Sequence, residues 1–353
     1  MYGASVETVE RALDSGDPLP GTYGFAGRLP DGRLVRDVLG RELCYYDCGD
    51  WSRDPSDLDS PTLLPAGHVR AGGSTERAWQ LSDPPADGEN AVERVRRSFD
   101  TALDVEEDGL AVAFSGGVDS ALVASAVDVP LYVVGYGDCA DVESARESAD
   151  AMGRRDDLRV HEVTLDDIEA AIPAVARAIG RTNAMDVQIA LPLYLVAERA
   201  AADGFDRLAL GQGADELFGG YAKVAKAPDD PRTDAATVRG ARREVLLGLP
   251  DQLERDLRAV RAAGVEPLMP LLHDNVVRTA LELPREWLVD GETRKRALRE
   301  AARSRLPAVV CEREKKAVQY GSLVAREVDR LARQAGFKRR MDDHVTQYVE
   351  SRV

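Results

Sequence analysis

Three short stretches carry the residue types that chemistry on a phosphate ester needs. The first, Ser115-Gly116-Gly117-Val118-Asp119-Ser120, combines two glycines with two hydroxyls and a carboxylate. Paired glycines let backbone N–H groups turn toward an anion, and a helix N-terminus behind them adds a favourable dipole. No Gly-Lys-Thr follows, so this is not the common NTPase P-loop, whose lysine reaches the outer phosphates. The second stretch, Leu208 to Tyr221, sets Asp215 and Glu216 behind Gly211-Gln212-Gly213. Carboxylates beside a polyphosphate are costly unless a cation lies between them. Mg2+ ligation by Asp215 together with Asp119 is therefore the chemical reading, and helix N-capping the plainer one. The third stretch, Arg313 to Gly321, holds Lys315 and Lys316 in a charged loop. It suits either charge developing on a phosphoryl group or bare solvent.

These stretches need a frame that points them the same way. Leu110–Phe114 is a short apolar run rich in small residues, the pattern of a strand buried on both faces. It breaks at Ser115, and Asp119 and Ser120 open a helix through Val127. Leu131–Gly135, Arg159–Val163 and Arg207–Leu210 read as further strands, with helices over Asp141–Met152, Leu165–Ile179 and Val187–Ala202. Such alternation predicts an α/β fold with a doubly wound parallel sheet, whose ligands sit at the carboxyl ends of the strands. That sets Ser115–Ser120, Gly135–Gly137 and Gly211–Glu216 along one edge.

The flanks differ in character. Residues 1–83 are rich in Gly, Pro and Asp, with short apolar pieces such as Leu43–Tyr46, and predict a small antiparallel β region. Ser52–Pro61 reads as a loop and Pro84–Glu89 as a linker, followed by a helix over Asn90–Leu103 with Val92, Val95, Phe99 and Leu103 on one face. From Thr233 the chain is mostly helical, with loops around Gly264–His273 and Cys311–Gly321. The expected division is 1–83, 90–335 and a tail over 336–353. There are no internal repeats or low-complexity tracts.

Composition narrows the class. With 353 residues and 44% hydrophobic content the chain can bury a sizeable core. The absence of a membrane-length apolar run or a basic-then-apolar leader makes a soluble cytoplasmic protein the expectation. Four scattered cysteines, Cys44, Cys48, Cys139 and Cys311, offer no second pair for a zinc site. A net charge of −16, from 62 acidic against 46 basic residues, disfavours loose association with nucleic acid or anionic membranes. The same acidity equally suits solubility in a salty cytosol.

The hexapeptide Ser115–Ser120 resembles the PP-loop of ATP pyrophosphatases, the adenine nucleotide alpha hydrolase-like group that splits ATP into AMP and pyrophosphate. With the Leu208–Tyr221 and Arg313–Gly321 stretches in this order, the chain resembles the synthetase domain of class II glutamine-dependent asparagine synthetases. That family includes the β-lactam and carbapenam synthetases. The likeness spans roughly Asn90–Leu331 and includes Asp186-Val187-Gln188, Leu191–Leu195, and Gly264-Val265-Glu266 with Pro270 and Leu272. It implies that Ser115, Gly116, Gly117, Val118, Asp119 and Ser120 bind ATP phosphates, with Val134 and Gly135 near adenosine and Gly211 beside the nucleotide. It further implies Mg2+ on Asp119 and Asp215, catalytic roles for Lys315, Asp215 and Glu216, and substrate contacts from Gln212, Glu266 and Asp186.

The departures from the family pattern are specific. Members with glutaminase activity begin with a cysteine, whereas this chain begins Met1-Tyr2-Gly3. Gly21–Gly27, Arg36–Tyr46 and Leu64–His68 resemble only the later part of that glutaminase domain. Residues 1–83 are therefore expected to be structural, with no glutamine hydrolysis by this chain alone. Gln212 replaces a glutamate, Leu268 an arginine and His273 an aspartate, and a neutral amide cannot serve as a base.

The expected activity is an AMP-forming amide synthetase, a carbon–nitrogen ligase using ATP and Mg2+, with aspartate and ammonia as the default substrates. A separate glutaminase subunit and a homodimer stay open as partners. Two other readings also stay open: a PP-loop enzyme modifying tRNA or a nucleobase, and a non-catalytic ATP-binding relative. The acidic charge and the Lys315 loop argue against the first. The joint presence of Asp119, Asp215 and Lys315 argues against the second.

Overall fold

Buried parallel strands form where apolar runs of four or five residues alternate with amphipathic helices, and that pattern governs the middle of this chain. A computed structural model describes residues 1–227, 235–313 and 321–353. The chain divides into two compact units, each assembled from three separate segments.

One unit comprises Val105–Gly211, Arg255–Leu268 and Ala302–Val353. Its five-stranded sheet runs in the order Leu158–Glu162, Leu131–Gly135, Leu110–Ala113, Arg207–Ala209, Glu266–Leu268, with every neighbouring pair parallel. Leu110, Ala111 and Val112 are fully buried, as a central strand covered on both faces requires. Winding outward from that strand reverses direction between Leu110–Ala113 and Arg207–Ala209. This reversal is the switch point at which open α/β sheets leave a crevice above their carboxyl ends. The predicted parallel sheet flanked by helices is thus present, with strand and helix limits within three residues of those read from the sequence.

Two local differences have physical causes. The Gly264–His273 region, read as a loop, supplies the fifth strand. Glu266–Leu268 is only three residues long and contains Pro267, which is tolerated because this strand lies at the sheet edge. Pairing rather than propensity makes it a strand: Glu266 N donates to Asp206 O and Leu210 N to Leu268 O, both at 2.8 Å. The helix opened by Val118 stops at Ala124 rather than Val127. Arg154 accounts for this, donating to Ala124 O and Val127 O at 2.9 Å each and to Val129 O at 2.8 Å. Those carbonyls turn to the guanidinium instead of continuing a helical ladder.

At the chain's end, helices Val324–Gln334 and His344–Glu350 are tied together at Asp329. Its carboxylate takes Arg339 at 2.6 Å, His344 Nε2 at 2.8 Å and Arg333 at 3.0 Å. Tyr348, on the last helix, is buried.

The other unit comprises Met1–Asp104, Gln212–Glu254 and Met269–Ala301. The predicted antiparallel strands form a four-stranded sheet (Ala26–Arg28, Leu34–Arg36, His68–Ala71, Ser74–Arg77) and a three-stranded one (Trp51–Ser52, Tyr45–Tyr46, Thr62–Leu63). A helix not expected in this region, Val6–Ser15, is capped by the Ser5 side chain and packs Val9 and Ala12 against Phe25, Val35 and Trp79. The helix over Ala91–Ala102 buries Val95 and Phe99 as its spacing requires. Arg36 is almost wholly buried yet satisfied, donating to the carbonyls of Glu42, Leu64 and Gly40 at 2.7–3.0 Å. Among the described residues no helix is long and apolar enough to cross a membrane.

Candidate functional site

The Ser115–Ser120 loop follows directly from the central strand of the parallel sheet. Phe114 N still donates to Tyr132 O, and the chain then leaves the sheet at Ser115. Gly116 adopts φ +73°, a conformation that side chains resist, and a Cβ there would fall 2.2 Å from Ser144 O. Its carbonyl accepts the Ser148 hydroxyl at 2.8 Å, which fixes the turn from behind. Ser120 folds back over the loop, its hydroxyl 3.3 Å from both Ser115 N and Ser115 Oγ and 3.2 Å from Gly117 O. The helix then begins at Val118, with Asp119 in its first turn, where N–H groups lack intrahelical acceptors.

Several residues singled out in the sequence gather around this loop. Val134 and Gly135 end the adjoining strand on one side. Gly211 follows the strand on the other side, so close that a Cβ on it would lie 2.9 Å from Ser120 N. Ser115–Ser120, Val134–Gly135 and Gly211 therefore share the carboxyl edge of one sheet, at its switch point.

Asp186 and Glu266 sit in different settings. Asp186 lies in the first turn of helix Ala184–Ala202. It is paired with Arg255 at 2.9 Å and Arg181 at 3.3 Å, and accepts from Asn183 Nδ2 at 2.8 Å. Burial pushes its pKa up, but the Asn183 and Arg255 hydrogen bonds prevail and hold it below the ordinary aspartate value. Glu266 starts its strand opposite Arg207, at the amino end of the sheet, with its carboxylate 3.1 Å from Arg261. It is thus not brought to the edge that carries Ser115.

The acidic stretch opens the Gln212–Glu254 segment of the other unit. Gln212 is half-buried, and Gly213 caps a short helix, Ala214–Phe218, that carries Asp215 and Glu216. Asp215 Oδ1 lies 2.7 Å from Lys295 Nζ. Lys295 is delivered by a two-stranded hairpin, Val289–Asp290 with Thr293–Arg294, and Arg294 donates to Gly220 O at 2.8 Å. Glu216 is buried and accepts the Tyr221 hydroxyl at 2.5 Å. Burial, then the neighbouring Asp215 charge, pushes its pKa up to about 7. Two adjacent carboxylates are therefore held in unlike settings, one ion-paired and part-exposed, the other enclosed beside a phenol.

Asp119 belongs to one unit and Asp215 to the other. Asp119 and Asp215 offer hard carboxylate oxygens, and among the described residues no cluster of three or more His, Cys, Asp or Glu forms a protein-only metal cage. Mg2+ uses one or two carboxylates with waters and phosphates, unlike zinc.

His273 is buried, its ring edge-on to Tyr23 with centroids 4.6 Å apart, and its Nδ1 accepts from Asn275 N at 3.2 Å to cap helix Asp274–Leu281. Burial lowers its pKa. Lys315 lies outside the described residues. Sequence reasoning missed Lys295, which stands between Arg294 and Arg296 in what reads as a solvated basic run. It also passed over Tyr221 as a partner for Glu216.

The asparagine synthase family matches residues 93–247 and 230–350. The chain is 30% identical over 269 residues to a provisionally named asparagine synthetase 1 (glutamine-hydrolyzing) of Methanocaldococcus jannaschii, covering 66% of this chain and 49% of that protein. It is 27% identical over 318 residues to asparagine synthetase 2 (glutamine-hydrolyzing) of Oryza sativa, covering 77% and 51%. With asparagine synthetase B (glutamine-hydrolyzing) of Escherichia coli it shares 26% identity over 234 residues, covering 60% and 41%. The chain thus spans about half the length of the curated relatives it matches.

Proposed function

Because the chain belongs to the asparagine synthase family, we propose that it is an ATP-dependent, AMP-forming amide synthetase. ATP would lie with its phosphates against Ser115, Gly116, Gly117, Val118, Asp119 and Ser120, its adenosine near Val134 and Gly135, and Gly211 alongside. A substrate carboxylate attacks the α-phosphorus, pyrophosphate leaves, and an amine then displaces AMP from the acyl-adenylate. Asp119 and Asp215 are the proposed holders of Mg2+, which supplies charge neutralisation for the departing pyrophosphate. Lys315 and, from its pairing with Asp215, Lys295 are the proposed cations for phosphoryl charge. Glu216, its pKa raised by burial, is the proposed proton-handling group.

The observation that carries this reading is the Ser115–Ser120 turn at the switch point of the parallel sheet, with Gly211 against Ser120. Aspartate is the default acid and ammonia the default amine, giving asparagine. The ammonia comes from solution or from a separate glutaminase subunit, and a homodimer is the proposed assembly. Gln212 is the proposed contact to the substrate, with Asp186 as a further candidate; Glu266, at the amino end of the sheet, is not retained in that role. Four free thiols favour a reducing, cytoplasmic setting.

The test is pyrophosphate and AMP formation from Mg-ATP with aspartate and ammonium, each omitted in turn and the product identified by mass. Asparagine formed only in the full mixture supports the default substrates. Turnover with another carboxylate but not aspartate supports the synthetase chemistry and reassigns the acid. AMP formation with no carboxylate dependence, or none with any of them, overturns the reading. Replacing ammonium with glutamine, with and without an added glutaminase, decides the nitrogen source.

A further inference from the structure

Arg41 belongs to the N-terminal segment, which the sequence reading treats as a remnant with no part in chemistry. Its guanidinium is completely buried between two carboxylates, 2.8 Å from Asp37 Oδ1 and 2.7 Å from Asp274 Oδ1. Asp274 is fixed in turn by Gly21 N at 2.9 Å, Thr22 N at 2.7 Å and Thr22 Oγ1 at 3.1 Å. The same guanidinium donates to Leu272 O at 2.7 Å. Leu272 ends the Pro270–Leu272 turn, and its side chain rests on the α-carbon of Gly213: a Cβ there would fall 2.5 Å from Leu272 Cδ2. Gly213, at φ +95°, is the cap from which the helix bearing Asp215 and Glu216 departs.

We infer that Arg41 is a positioning residue for Asp215 and Glu216, acting through Leu272 and Gly213. The planar fork is held in one orientation by two carboxylates, so the Leu272 carbonyl it grips is fixed as well. A fixed Leu272 backbone sets its side chain, and close packing passes that placement to Gly213. The N-terminal segment is therefore a working part of the acidic stretch. A lysine at this position keeps the charge but, offering point-like donors, cannot span Asp37, Asp274 and Leu272 at once.

The kinetic consequence rests on the synthetase reading, whereas the packing relay does not. Two measurements on Arg41→Lys and Leu272→Ala, made in the full chain, separate the two. Hydrogen exchange of the Gly213–Gly219 amides is expected to speed up about tenfold or more in both variants, with Ser115–Ala124 unchanged. AMP formation is expected to fall about 100-fold in kcat with the KM for ATP held within about twofold, as misplacement of catalytic groups predicts. Unchanged exchange over Gly213–Gly219 in Leu272→Ala overturns the relay, and this variant decides alone where Arg41→Lys does not fold. Faster exchange there with kcat unaltered overturns the positioning role. A wild-type chain that forms no AMP overturns the synthetase reading, and the exchange result still decides the relay.

Discussion

Lys295 Nζ lies 2.7 Å from Asp215 Oδ1, so a largely buried cation sits on the carboxylate proposed to hold Mg2+. Lys295 reaches it with backbone φ +57°, a conformation non-glycine residues adopt at an energetic cost and chiefly at functional sites. Replacing it with methionine keeps the stem and removes the charge. Lys295→Met is expected to lower kcat for pyrophosphate release about 100-fold, with the far-ultraviolet circular dichroism unchanged. It should also shift the Mg2+ concentration for half-maximal activity, since Asp215 loses its competing partner. A stopped Mg2+ titration of pyrophosphate release reads both effects.

The Gly116 turn offers a separate handle on nucleotide binding. Alanine there would meet Ser144 O and would carry a left-handed backbone, a cost of about 1–3 kcal/mol. ATP, if bound as proposed, is expected to raise the Tm of the wild type, and Gly116→Ala is expected to lower Tm and to abolish that rise. Thermal shifts measured with and without ATP check this.

Arg154 closes three backbone carbonyls at once, those of Ala124, Val127 and Val129. Arg154→Ala leaves them without that donor and is expected to cost about 1–3 kcal/mol of stability. Chemical denaturation, with the midpoint shifted and the slope unchanged, is the appropriate measurement.

Acid sensitivity should centre on Asp329. The hydrogen bond from Arg339, with that from His344, outweighs burial and holds its pKa far below the ordinary aspartate value. The carboxylate is therefore ionised in the folded protein at pH values that protonate it in the unfolded chain. Its stabilisation is complete above the unfolded pKa of about 4 and is lost progressively as pH falls below that. Asp329→Asn is expected to lower Tm at neutral pH and to flatten the acid limb of the Tm-against-pH curve. A wild-type acid limb retained by the variant would show that other carboxylates govern it.

Thiol reactivity should separate the cysteines. Cys44, Cys139 and Cys311 are buried, and burial pushes the Cys44 thiol up to about 12. Cys48 is exposed. Native protein is expected to label at Cys48 alone with a maleimide, and at all four cysteines after denaturation, as peptide mass mapping would record.

Much of the parallel-sheet unit was legible because its signals are local. Leu110–Ala113 and Leu131–Gly135 are short apolar runs closed by turn residues, and Leu165–Ile179 opens on a Thr164–Asp167 capping box. Glu266–Leu268 was not legible, because its strand character comes from partners some 60 residues earlier in the chain, beyond any local periodicity. The Ser115–Ser120 loop could be read from its glycines and hydroxyls. Lys295 and Arg41 could not, since a lysine among arginines and an arginine among turn residues give no sign of which carboxylate they will meet. The buried ion pair of Arg41 with Asp274 joins residues whose charges, in sequence, read as ordinary surface.

The hydrogen bond from Thr22 to Asp274 spans 252 residues. During synthesis Thr22 and Arg41 leave the ribosome long before Asp274 does, so the buried guanidinium must wait for its second carboxylate. Closing so long a loop is entropically costly, and contacts of this range slow folding. The strands flanking Ser115, Leu131–Gly135 and Arg207–Ala209, are nearer neighbours and can pair before Asp274 is made. Maturation should therefore end with the N-terminal residues docking, so newly made chains acquire resistance to proteolysis at Ser115–Ala124 before they acquire it at Gly21–Arg41.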